Sequence, residues 1–144
     1  MSDEIHTGGC LCGAVRFEAL GAPDWVAHCH CQSCRRHTGS AFSTVAGYRE
    51  ATVRWTGERP AIFASSPGVR RGFCRRCGSP ISYGSDRHGD EVHLMIGAFD
   101  APGAFEPTVH VWTREQVSWL RLEDGLPRYP TTLREARGKE GVEG

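Results

Sequence analysis

Apolar positions along this 144-residue chain come in short runs set between Gly, Pro and Ser, without the sustained three-to-four spacing of helices. The runs Val15-Arg16-Phe17, Trp25-Val26-Ala27, Thr52-Val53-Arg54-Trp55, Ala61-Ile62-Phe63, Ile81-Ser82-Tyr83 and Val92-His93-Leu94-Met95-Ile96 are rich in β-branched and aromatic residues. Each reads as a strand. The last alternates most clearly, with Val92, Leu94 and Ile96 on one face and His93 and Met95 on the other, the period of a half-buried strand. Helix signals are confined to a turn at Cys34 to Gly39 and a terminal segment, Thr132 to Arg137, with a threonine cap. The pattern predicts a mainly β, antiparallel architecture with little helix.

Nothing in this rhythm marks a boundary, so residues 1–144 read as a single domain, large enough to bury its own core. The tail Gly138 to Gly144 is too rich in Gly and charge to pack. Lys plus Arg number 17 and Asp plus Glu 17. The cancelling charge gives no global field for nucleic acid or an anionic membrane, so nucleic acid is not an expected partner. The local exception is a basic cluster, Arg70, Arg71, Arg75 and Arg76. The segment Met1 to Thr7 carries acids and no apolar run, and no stretch approaches the roughly 18 apolar residues of a membrane span. The expectation is a cytoplasmic protein without a membrane partner.

Seven cysteines change the picture most. They fall as Cys10-Leu11-Cys12, as Cys29-His30-Cys31-Gln32-Ser33-Cys34, and as Cys74-Arg75-Arg76-Cys77. In a reducing compartment, close spacing and an odd count favour metal ligation over disulfides. Residues i and i+2 of an extended segment point to one side, and a C-x-x-C turn curls round an ion, so Cys10/Cys12 and Cys74/Cys77 are each half of a tetrahedral site. Each is followed directly by glycine, Gly13 and Gly78. Joined, they make a closed four-thiolate zinc site that ties off a loop of roughly 60 residues. Cys29, Cys31 and Cys34 then supply three ligands and leave a fourth position open, the mark of a reactive metal. Three thiolates on zinc leave a net charge of about −1, which suits a soft sulfur ligand better than a carbonyl. A competing pairing sets Cys31/Cys34 with Cys74/Cys77 as a zinc ribbon. His28, His30 or His37 would close the central site if one of them ligates, although His30, between two ligands, points away on a regular strand.

Arg35 and Arg36 follow the central cluster, with Thr38 and Ser40 beyond them. They either balance thiolate charge and bond to the sulfurs, or, in the sharper reading, Arg35 grips a substrate carboxylate. His93 and His110 are ordinary sheet residues or acid–base groups at the open metal. Trp25, Trp55, Trp112 and Trp119 read as core or edge aromatics.

The stretches Gly8 to Phe17, Cys29 to Phe42 and Phe73 to Ile81, with Gly97-Ala98-Phe99-Asp100 and His110 to Pro127, closely resemble the glutathione-dependent formaldehyde-activating enzyme family, which includes the domain of centromere protein V. The likeness spans about residues 8–130. It implies a β-tent fold of several coiled antiparallel sheets organised by two zincs per chain. One zinc would sit on Cys10, Cys12, Cys74 and Cys77 and the other on Cys29, Cys31 and Cys34. It also implies a carbon–sulfur lyase whose substrate is a small thiol, glutathione, joined to formaldehyde as S-hydroxymethylglutathione. Two other readings stand beside it: a non-catalytic zinc module for protein interactions, and a redox or electrophile sensor acting through the three-cysteine site.

Overall fold

The computed structural model describes residues 4–133. Among them the strands are β1 (Ile5–Gly9), β2 (Arg16–Leu20), β3 (Trp25–Cys29), β4 (Ser43–Arg49), β5 (Val53–Trp55), β6 (Ala61–Ser66), β7 (Val69–Phe73), β8 (Pro80–Ser85), β9 (Glu91–Met95) and β10 (Val109–Val111). One short α-helix, α1 (Gln32–Thr38), and several 3-10 turns complete a mainly β fold. Apart from Thr132 and Leu133, the expected terminal helix and the tail lie outside the described residues. No helix among the described residues is long and apolar enough to cross a membrane.

The six expected runs fall on β2, β3, β5, β6, β8 and β9. The strands without an apolar signal, β1, β4, β7 and β10, include Gly-rich and polar strings such as IHTGG and VRRGF. Their neighbours' backbone groups recruit them, because strand formation depends more on pairing and burial than on intrinsic preference. The expected half-buried alternation of β9 is overturned: His93, Leu94 and Met95 are all buried. Both faces of this strand are covered. Ile96 leaves the strand altogether for a 3-10 turn, Ile96–Ala98.

The chain divides into two units, one formed by the residues up to Trp25 with Val45–Glu106, the other by Val26–Thr44 with the residues from Pro107 onward. In the first, β1, β2 and β5 form an antiparallel three-stranded sheet, and β4, β9, β8, β7 and β6 neighbour one another in that order, also antiparallel. Its core contains Phe17, Tyr48, Ile81 and Leu94, all less than 2% exposed. Phe17 meets Trp55 and Phe99 edge-on, at ring distances of 5.7 and 5.2 Å. Each such side chain stabilises the fold by about 1.5–3 kcal/mol through burial. Gly47 of β4 lies under the Trp25 indole, where any Cβ would overlap the ring.

In the second unit β10 pairs with β3 in parallel, Val109 opposite Ala27 and Val111 opposite Cys29, where the sequence rhythm implied antiparallel neighbours. The long connection between the two strands permits this direction. Helix α1 starts two residues earlier than its sequence signal. Cys31 is its N-cap, with the thiol sulfur accepting the Cys34 amide at 3.2 Å, and the left-handed Gly39 closes it.

A surface contact of the first unit gives a pH test. Arg16 grips both Asp100 carboxylate oxygens at 3.0 and 2.6 Å, and the Thr7 hydroxyl adds a bond of 2.6 Å. The Arg16 guanidinium and then Thr7 hold the Asp100 carboxyl down at about 2. A carboxylate depressed in the folded state stabilises fully above its unfolded pKa and loses that contribution as pH falls toward 2. The pair is nearly half exposed, so screening limits its worth to about 1 kcal/mol or less. Urea unfolding of wild type and Asp100→Asn should show that gap at pH 6 and a smaller one at pH 3.

Candidate metal centres

Two turns in the first unit present cysteines in related ways. After β1 the amide of Gly13 bonds to the Cys10 carbonyl at 3.2 Å, and after β7 the amide of Gly78 bonds to the Cys74 carbonyl at 2.8 Å. Gly13 and Gly78 have φ of 86° and 80°, a left-handed conformation that a side chain would strain. Each turn therefore folds its two sulfurs inward and turns the chain away behind them. Amides aim at the sulfurs as well: Val15 N–H donates to Cys10 Sγ at 3.2 Å, Arg76 N–H and Cys77 N–H to Cys74 Sγ at 3.3 and 3.4 Å. Ser79 links the turns, its Oγ accepting the Leu11 amide at 3.0 Å and lying 3.1 Å from Cys77 Sγ.

All four sulfurs lie within 4.8 Å of one another. The separations Cys10–Cys12 and Cys12–Cys74 are 3.6 and 3.8 Å. A tetrahedron with metal–sulfur bonds of about 2.3 Å has edges of about 3.8 Å, so this donor set fits a zinc-sized ion. The Ser79 hydroxyl and amide hold the Cys77 thiol down at about 5. Cys12 responds differently: the Ala14 amide favours its thiolate, but Cys10, burial and the other two sulfurs push it up to about 11. Packed sulfurs resist shared ionisation, and a dication among them removes that resistance.

The second unit gathers Cys29, Cys31 and Cys34 within the same 4.8 Å limit. Cys29 ends β3, Cys31 caps α1 and Cys34 lies in its first turn, with Cys34 Sγ 3.5 Å from Cys29 Sγ. Cys29 and Cys34 are buried. Contacts with Cys31 and Cys34, together with burial, push the Cys29 thiol far up. For Cys31 the Cys29 contact favours the thiolate, but Cys34 and burial outweigh it and push the thiol up to about 11. This crowding also fits a cation. The donor set stops at three among the described residues.

His30 and His110 do not join those sulfurs. His30 Nε2 lies 2.9 Å from His110 Nδ1, and His110 Nε2 lies 2.8 Å from Asp124 Oδ2, with both rings wholly buried. The carboxylate accepts from His110 Nε2–H, so His110 Nδ1 accepts from His30 Nε2–H. Burial, and after it a cationic neighbourhood that includes Arg128, pushes His30 down to about 4 and keeps it neutral. This His–His–Asp chain pins the residue between Cys29 and Cys31, turning its ring away from the sulfurs. His28 instead bonds Thr44 Oγ1 through Nδ1 at 2.8 Å. The residues joining this network are far apart in sequence, and no spacing rule points to Asp124.

Arg35, one turn along α1 from Cys31, has a buried Nε with no hydrogen-bond partner among the described residues. Within the basic cluster Arg75 and Arg76 share Glu58 at 3.5 and 2.7 Å, Arg70 meets Asp86 at 2.8 Å, and Arg71 is buried over the Tyr83 ring.

Comparison with known proteins matches residues 5–115 to the family model for glutathione-dependent formaldehyde-activating enzymes. A relative from Halomonas elongata, provisionally named a glutathione-dependent formaldehyde-activating enzyme, is 29% identical over 126 residues, covering 81% of this chain and 80% of its own. An uncharacterized lyase of Schizosaccharomyces pombe is 30% identical over 78 residues, 54% of this chain and 56% of that protein. A crystal structure of a Rhodobacter sphaeroides protein shares the fold at a TM-score of 0.54 with 20% identity, covering 85% of this chain and 98% of that one. With the family match spanning most of its length, the chain belongs to the glutathione-dependent formaldehyde-activating enzyme family.

Proposed function

We propose that this protein is a carbon–sulfur lyase that joins a small thiol to a small aldehyde and releases it again, glutathione and formaldehyde being the pair the family name supplies. The carrying observation is the three-sulfur donor set of Cys29, Cys31 and Cys34, which ends one short of a closed tetrahedron. Cys10, Cys12, Cys74 and Cys77 hold a structural zinc in this reading, and the triplet holds a second.

Zinc bound by three thiolates supplies a site that favours a fourth thiolate over a thiol near neutral pH. The chain's own groups do the rest. Cys29, Cys31 and Cys34 fix the direction from which a thiol approaches. His30, tied through His110 to Asp124, holds the backbone between the first two ligands. Arg35, with its buried unpartnered Nε, is the group to pair with a substrate carboxylate. In the addition a carbon–sulfur bond forms, the carbonyl π bond breaks, the thiol loses a proton and the aldehyde oxygen gains one. No electron donor or acceptor is required.

Cobalt-loaded protein titrated with glutathione tests the reading. A saturable rise of about one seventh in the total sulfur-to-metal charge-transfer absorption is expected, as the seven sulfurs on two cobalt ions become eight. Faster loss of formaldehyde, followed by NMR, should accompany it. An unchanged spectrum together with an unchanged rate refutes the lyase reading.

A further inference from the structure

His88, Glu91 and His93 form a nitrogen and oxygen cluster in the first unit that the lyase reading does not use. Their ligand atoms all lie within 4.8 Å of one another. Glu91 and His93 are two residues apart on β9 and so share a face of the sheet. The 3-10 turn Asp86–His88, capped by the Ser85 hydroxyl on the Arg87 amide at 3.3 Å, brings His88 to the same place, its ring 4.9 Å from that of His93. The adjoining acids are already committed, Asp86 to Arg70 and Asp90 to Arg49, each at 2.8 Å. That leaves Glu91 as the carboxylate facing the two imidazoles.

The surroundings fix the orientation of this cluster. Trp25 stands edge-on to His93 at 4.5 Å and 85°, in the space that Gly47 leaves open, and after His93 it helps hold the Glu91 carboxyl below its usual range. Tyr83, opposite His93 in the β8–β9 register, places its ring 5.2 Å from the imidazole. The His93 ring and the Glu91 carboxylate are therefore oriented before anything binds, as the outer groups of a metal site orient its ligands. His93 Nε2 and Glu91 Oε1 are 3.0 Å apart. Two ligand atoms at bonds of about 2.1 Å and a right angle are also about 3.0 Å apart, so a cation enters without separating them. Glu91 and Tyr83 also line a cleft of about 440 Å³.

We propose that His88, Glu91 and His93 bind a divalent transition-metal cation of the zinc, cobalt and nickel class, at a site distinct from both cysteine clusters. Two imidazoles and one carboxylate suit these borderline cations, whereas the soft thiolate clusters select zinc. Three protein ligands leave further positions for water or an anionic small ligand. This assignment stands independently of the lyase reading.

The test adds cobalt(II) to full-length protein carrying only the two equivalents of zinc that the cysteine clusters take up, with no zinc in excess. One further equivalent should bind, with weak visible bands from nitrogen and oxygen ligands and no thiolate charge transfer. Glu91→Gln, which keeps a hydrogen-bonding amide beside His93, and His88→Ala, on the half-exposed turn, should each weaken that equivalent at least tenfold with zinc content unchanged. The assignment is overturned if wild type takes up no further equivalent. It is equally overturned if the added cobalt shows thiolate charge transfer, or if both variants titrate like wild type.

Discussion

Cys34→Ser should remain folded, hold one zinc instead of two, and lose the turnover of the thiol adduct by at least about a thousandfold. That factor corresponds to about 4 kcal/mol of transition-state stabilisation, the scale a metal centre supplies. Survival of the fold follows from where Cys34 sits. It lies in the first turn of α1, serine fills nearly the same volume, and the helix keeps its cap from Cys31 and its closing Gly39. Metal content by mass spectrometry, thermal melting and formaldehyde consumption, measured on one preparation, check the three parts together. Loss of both metals with general unfolding would instead make the triplet a structural site.

Cys74→Ser should do the opposite and cost the fold itself. Cys74 is completely buried, and its sulfur accepts two backbone amides. Through a metal it would be joined to the turn of Cys12, 62 positions earlier in the chain. Cutting a cross-link over a loop of that length loses about 4 kcal/mol of unfolded-state restriction. The first unit retains its apolar core, so the loss stays below the roughly 10–16 kcal/mol that a structural zinc contributes where no core exists. At this chain size about 4 kcal/mol lowers Tm by of the order of 15 °C. Calorimetry of the variant and of wild type treated with chelator should give similar downward shifts. A variant melting within about 2 °C of zinc-loaded wild type would remove the structural role.

The two cysteine groupings were the most legible part of this molecule, because sulfur spacing and the following glycines are local properties. Gly13 and Gly78 carry their conformational meaning in their own residue type. The strands split along a similar line. Runs such as Ile81-Ser82-Tyr83 announce themselves through their side chains, while β1 and β7 exist because a neighbouring backbone needs a partner. The His30–His110–Asp124 chain had no local signature either. It depends on β10 lying parallel to β3 and on the segment from Asp124 to Tyr129 bonding back to His110, contacts between distant stretches of sequence. Gly47 shows the same limit from another side: its lack of a side chain has a reason only once Trp25 is seen above it.

The sulfur of Cys31 has two tasks, as candidate metal ligand and as cap of a seven-residue helix. A helix that short does not hold its shape alone in water, so its order is borrowed from its ends. The carbonyl of Cys31 accepts the amide of Arg35 at 3.0 Å, so the guanidinium is carried one turn from the ligand by that same borrowed order. In the proposed reading, losing the ion or oxidising Cys31 would therefore loosen Arg35, the proposed substrate anchor, together with the three-cysteine centre. Affinity for the thiol and occupancy by the metal should rise and fall together, as two readings of one local folding equilibrium.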